Sequence, residues 1–172
     1  RQICDGLIVL LADRDRLSLH REVVDLKGIE ALLAVVRQHG SDACLAALRV
    51  LDKLSRTSAR EISAAGGIDV IVRCCEKRGQ APRTMEAALR TLHGLTFDND
   101  AKSLLMRRGV REIAESIVEN RHWEKDLTGS LLCPDEEDRT SESWGDVLSI
   151  ATRLLARLGG GGTGGGGQRP RR

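Results

Sequence analysis

One nine-residue phrase occurs twice in this chain, the second copy 41 residues after the first. Residues 46–54, AALRVLDKL, match residues 87–95, AALRTLHGL, at six of nine positions. A recurrence at this distance means that one supersecondary unit is used more than once, and that each copy buries its apolar face only by stacking on a neighbour. The flanks keep the register. Residues 58–68, SAREISAAGGI, correspond to 100–110, DAKSLLMRRGV, at an offset of 42, and 20–29, HREVVDLKGI, align with the first of these at an offset of 39. Gly28, Gly67 and Gly109 fall at the equivalent point of each copy.

Each unit reads as three helices. A short one, at 21–25, 59–64 and 101–106, runs into the glycine, where a residue without Cβ takes the left-handed turn that closes a helix. A second helix follows, as at 29–38, with apolar Ile29, Leu32, Leu33 and Val36 at spacings of three and four that define one buried stripe. The third is longer, about 42–56, entered through Ser41 or Asp42 as an N-cap, and its counterpart starts near Pro82, a residue well suited to a first helical turn. Ala47, Val50, Leu51 and Leu54 form its inner stripe. The pattern predicts an all-α chain built as an α-solenoid.

The glycine joint before an apolar second helix, the Ala-Ala-Leu start of the long third helix and the period of about 42 resemble the armadillo repeat family. The resemblance covers residues 1–158. It implies a right-handed solenoid of about three to three and a half three-helix repeats: a partial repeat at 1–20, repeats at 21–58 and 59–100, and a last one at 101–158, interrupted by an acidic insertion at 124–142 and resuming at 147–158, VLSIATRLLARL. Residues 159–172, GGGGTGGGGQRPRR with its leading glycine at 159, read as a disordered, basic, glycine-rich tail. Because Arg1 already lies in an apolar pattern, the chain is expected to be a piece of a longer array.

Composition fits this reading. The three aromatics, Phe97, Trp123 and Trp144, leave a core of Ala, Leu, Ile and Val, and supply no stacking platform for single-stranded nucleic acid. The five cysteines are odd in number and include no C-x-x-C pair, so reduced core thiols are expected in an intracellular compartment, cytoplasmic or nuclear. No apolar run is long enough for a membrane-spanning helix. The formal charge of +2 is unevenly placed: the insertion carries seven acids and two bases, the tail three arginines, and the rest of the chain is net basic.

Where that basic charge sits gives the functional candidates. Members of the resembled family bind extended peptides on a concave surface made of successive third helices, often through a ladder of asparagines. Here the ladder position holds Lys53, Gly94 and Arg157, with Leu10 in the partial repeat, so the resemblance does not carry over a receptor for nuclear-localisation signals. Four residues earlier, on the same helical face, stand Arg49, Arg90 and Arg153. Stacked units would align them as a basic stripe suited to bidentate binding of carboxylates or phosphates, with an acidic peptide the preferred ligand, similar to the way adhesion-linked armadillo proteins hold acidic partners. The plainer alternative is an ordinary solvated helix face. Asp135, Glu136, Glu137 and Asp138 in the insertion are candidates for an autoinhibitory segment that competes for the stripe. Trp144, beside the insertion, is expected to cap the apolar core, or alternatively to anchor a ligand.

Catalysis is not expected. His20, His39, His93 and His122 are scattered, and none is spaced from a Cys, Ser or carboxylate as a catalytic or metal site requires; the Gly66-Gly67 pair lacks the Lys-Ser/Thr of a phosphate-binding loop. No cofactor or metal is implied. The leading expectation is a protein-interaction module that binds an extended acidic segment in a basic groove. Two alternatives stay open: a structural scaffold or cap in a larger assembly, including homo-association through the convex surface, and a phosphate-rich ligand, nucleic acid or phosphoinositide, on the same stripe. The modest positive charge weighs against nucleic acid.

Overall fold

Why the chain breaks into helices where it does is visible at the helix ends. The structure, a computed structural model, describes residues 27–38, 41–76, 81–119 and 137–159. Within them the helices are α1 (Gly28–Gln38), α2 (Ser41–Leu54), α3 (Ala59–Ala64), α4 (Gly67–Glu76), α5 (Pro82–Leu95), α6 (Asn99–Arg107), α7 (Val110–Glu119) and α8 (Glu137–Gly159). No strand occurs among the described residues. Pro82 opens α5, where its missing N–H costs nothing, after an extended Ala81. Asp98 caps α6, its carboxylate accepting a hydrogen bond from the Ala101 amide at 2.9 Å.

Helices α2 and α5 end in the same way. Ser55 and Thr96, each the first residue past its helix, donate their hydroxyls to the carbonyls of Asp52 and His93, both at 2.7 Å. These bonds satisfy carbonyls that a helix C-terminus leaves without an amide partner, and let both hydroxyl residues be buried.

The left-handed joints differ from the sequence expectation by one residue in two cases out of three. Positive φ falls at Lys27 (55°), Gly66 (73°) and Gly109 (69°), so Gly28 and Gly67 are the first residues of helices, not the turn itself. Gly67 is needed for closeness: a Cβ there would stand 2.6 Å from Ile62 Cγ2 and 2.7 Å from the Ile62 carbonyl oxygen. The buried stripe begins two residues after Lys27 and Gly66, at Ile29 and Ile68, but one residue after Gly109, at Val110. The third joint is therefore a residue shorter.

Packing sorts the helices into rows. The long α5 lies between α2 and α8. Each of these three packs on the helix that precedes it in its unit: α2 on α1, α5 on α4, α8 on α7. Helices α1, α4 and α7 also touch in that order, and the short α3 packs on α6. The shared core runs through both rows, with Leu33, Leu51, Ile71, Leu92 and Leu154 among the side chains removed from solvent. Each such leucine or isoleucine contributes about 1.5–3 kcal/mol of hydrophobic stabilisation. Inside it, the Thr91 hydroxyl donates to the Ala87 carbonyl at 2.8 Å and lies 3.3 Å from the Leu48 carbonyl, so a polar group on the α5 stripe is satisfied against α2.

The acidic insertion overlaps a helix at its C-terminal end. Helix α8 starts at Glu137, so the backbone of 137–142 belongs to the helix that continues into Val147 and beyond. Trp144 on this helix is buried in the core. The partial repeat at 1–20, the helix expected at 21–25, residues 120–136 with Trp123, Asp135 and Glu136, and the tail beyond Gly159 lie outside the described residues. So do the side chains of Glu137 and Asp138, and with them the competition expected of the four acids.

Candidate binding site

The outward face of the long-helix row is built from positions one helical turn apart. On α2 it carries Arg49 and Lys53, on α5 Arg90 and on α8 Arg153 and Arg157, all exposed. Gly94, expected among them, is buried instead. A Cβ at Gly94 would stand 2.7 Å from Ser55 Cβ, so the glycine is where α5 closes onto the end of α2 and offers no surface to a ligand.

Two residues absent from the sequence candidates complete the face. Arg56 and Phe97 stand two residues past the ends of α2 and α5, immediately after the capping Ser55 and Thr96. Phe97 is 49% exposed. Arg56 places its guanidinium carbon 4.7 Å from the Phe97 ring centroid, and Arg157 of α8 places its own 4.1 Å from the same centroid. Cations are attracted to the electron-rich face of an aromatic ring, by about 0.5–1 kcal/mol at exposed sites. His93, one turn before Phe97, meets the ring edge-on at 5.8 Å. The sequence signal for the pair is the repeat offset itself, since Arg56 and Phe97 are 41 residues apart, continuing the alignment of 46–54 with 87–95 by two residues.

Electrostatics mark the same place. Burial, then the positive charges of Arg157, Arg56 and Arg153, push the His93 imidazole below its usual pKa. A histidine that feels arginines from both sides of α5 lies in a shared positive field. Asp52 is the acid inside this face; burial raises its carboxyl, against the opposing pull of Lys53, Arg90 and Arg56. Arg90 is partly spoken for, because it pairs with Glu86 one turn earlier at 2.8 Å. Neither Arg56 nor Arg157 makes an ion pair with a carboxylate among the described residues.

Of the other ion pairs among the described residues, Arg111–Glu115 lies within α7 and two join separate helices. Arg60 of α3 reaches Asp98 at the start of α6, 3.4 Å, and Arg108 reaches Asp69 of α4, 2.9 Å. Such exposed pairs contribute little to stability.

Other reactive side chains are placed for packing. Cys44, Cys74 and Cys75 are buried, and burial, with Glu76 adding to it, pushes the Cys75 thiol up to about 12, away from the reactive thiolate. Among the described residues no cluster of three or more His, Cys, Asp or Glu side chains is arranged to hold a metal ion. No described helix is long and apolar enough to cross a membrane. No family model, curated protein or solved structure matches the chain.

Proposed function

We propose that this chain is a non-catalytic protein-interaction module of armadillo-like α-solenoid type, whose row of long helices binds an extended acidic segment of a partner. The carrying observation is the meeting of Arg56 and Arg157, from the two helices that flank α5, over the single ring of Phe97. It brings cationic groups from both flanks of α5 onto one ring, which an isolated solvated face does not require. The contacts within the rows α1–α4–α7 and α2–α5–α8 support the solenoid reading, because like helices stack on like in the order of the sequence.

Binding would draw on preorganisation. The arginine bases sit on packed helices, and stacking on Phe97 restrains two of their guanidinium groups before any ligand arrives, which lowers the ordering cost of association. Arg49, Lys53, Arg153 and Arg157 are the main contributors, with Arg90 weakened by Glu86.

The test is a fluorescent peptide of alternating Glu and Ser, measured by polarisation at low and moderate salt. Charge reversal of Arg49, Arg153 and Arg157 to Glu is expected to weaken it by about tenfold or more and to flatten the salt dependence. Unchanged affinity in the triple variant overturns the reading.

A further inference from the structure

We propose that Arg56, Phe97 and Arg157 form a clamp for one phosphorylated serine or threonine of an extended peptide partner, with His93 beside it. The inference rests on the groove reading above and adds the chemistry of the ligand.

A ring holds a guanidinium by its face and engages none of its N–H donors, which remain for an oxyanion. Phe97 holds two such groups, with their carbon atoms 4.7 and 4.1 Å from its centroid. Neither makes an ion pair with a carboxylate among the described residues, as Arg60, Arg90, Arg108 and Arg111 do, and the acid that feels Arg56 is Asp52, whose carboxyl burial raises. Two cations gathered on one exposed ring repel each other, and the nearby Arg153 adds to the field that His93 feels. An anion relieves that repulsion. A carboxylate brings one charge and two oxygens, enough for one arginine fork. A phosphate monoester brings close to two charges and three acceptor oxygens, which suits two arginines together.

The position favours a peptide over a lipid headgroup. The ring stands just past the C-terminal end of the middle helix α5, with Arg49 and Lys53 on one side and Arg153 on the other, so that an extended chain crossing the row would meet cations before and after its phosphate. Phe97 therefore acts as a positioning residue and the arginines as the ligand contacts.

Three peptides of the same alternating Glu/Ser sequence, differing only in a central serine, glutamate or phosphoserine, test this by polarisation. The wild-type chain is expected to prefer phosphoserine over glutamate by about tenfold. Arg56→Gln and Arg157→Gln should each cut that preference to about twofold, read as the ratio of the phosphoserine and glutamate affinities measured on the same variant. Phe97→Leu keeps every charge, and its melting temperature reports whether the fold survives; it too should lose most of the preference. In NMR titrations the His93 imidazole pKa should rise when the phosphopeptide is bound to the wild-type chain, because the phosphate offsets the arginine field, and should not rise in an Arg56→Gln/Arg157→Gln double variant. Equal binding of the phosphoserine and glutamate peptides to the wild-type chain overturns the clamp and leaves the groove reading standing. Absence of binding by all three overturns both. Vesicles carrying a phosphoinositide that displace the phosphopeptide, with the same dependence on Arg56 and Arg157, would assign the clamp to a membrane and overturn the peptide claim.

Discussion

Helices α5 and α8 carry related sequences and meet different surroundings. Helix α5 is covered on both flanks, by α2 and α8, whereas α8 packs on α5 and α7. Where α5 buries Met85, Leu89 and Leu92, the corresponding positions of α8 hold Leu148 and Leu155, half-buried, and Thr152, exposed, with its hydroxyl turned to its own helix at the Leu148 carbonyl. At the position where α5 has Gly94 pressed against Ser55, α8 has Arg157, which extends over the surface to Phe97. One register position thus closes a helix interface in the middle of the row and supplies a cation at its flank. The helical pattern decides which residues share a face; the neighbour decides whether that face is core or surface.

Equivalent substitutions on the two helices can break this contrast. Leu92→Ala should remove about 2–5 kcal/mol of stability, because the side chain is fully enclosed and leaves a cavity. Leu155→Ala, half-buried, should cost about 1 kcal/mol. Chemical denaturation of both variants measures the difference, and equal losses would mean that α8 is as enclosed as α5.

The next largest effect is a reversal of sign between two glycines. Gly94→Ala forces a Cβ against Ser55 and should destabilise by about 1–3 kcal/mol. Gly145→Ala on α8 meets open space and should stabilise by about 0.5–1 kcal/mol, as removal of a helical glycine does. Adding Ser55→Gly to Gly94→Ala should recover part of the loss; no recovery would place the obstruction elsewhere.

A smaller contrast lies in the joints. Gly66→Ala, at φ of 73°, should cost about 1 kcal/mol, while Lys27→Gly, which relieves a non-glycine residue at 55°, should gain several tenths. Thermal melts of the two single variants should move in opposite directions.

The smallest effect concerns pH. The Asp52 carboxyl is raised by burial, so the unfolded chain releases this proton at lower pH than the folded one. Stability contributed by Asp52 is therefore lost as pH rises from its unfolded value through its raised folded value, and the deficit persists at neutral pH. Asp52→Asn should raise the melting temperature at pH 7 and leave it nearly unchanged well below pH 4, where both chains are neutral at this position. A variant that gains stability only in acid contradicts the sign.

Much of the helical layout was legible from the repeated phrase. The short helix at 59–64, the start of α5 at Pro82 and the second-helix stripes all stand where periodicity and helix-end residues put them. The left-handed residue was misplaced because adjacent glycines and a Lys-Gly pair satisfy the same pattern, and a one-residue change in joint length does not disturb the apolar period. Gly94 was read as surface because helical spacing alone cannot see that Ser55 stands opposite it. Arg56 and Phe97 escaped because the face argument used only the ladder position and the one four residues before it, although the helix expected at about 42–56 reaches Arg56 and the offset of 41 relates it to Phe97. The helical start of α8 at Glu137 lies within the stretch read as an insertion between helices, because charged residues that interrupt an apolar repeat also make good helix surface.

The central claim, that arginines from both flanks of α5 converge on one ring, is tested most directly by side-chain NMR of Arg56 and Arg157. Ring currents from Phe97 should shift the δ-protons and Nε–Hε signals of both residues upfield in the wild-type chain, and Phe97→Leu should return both sets to unshifted values with the rest of the spectrum preserved. Unshifted signals for either arginine in the wild-type chain would contradict it.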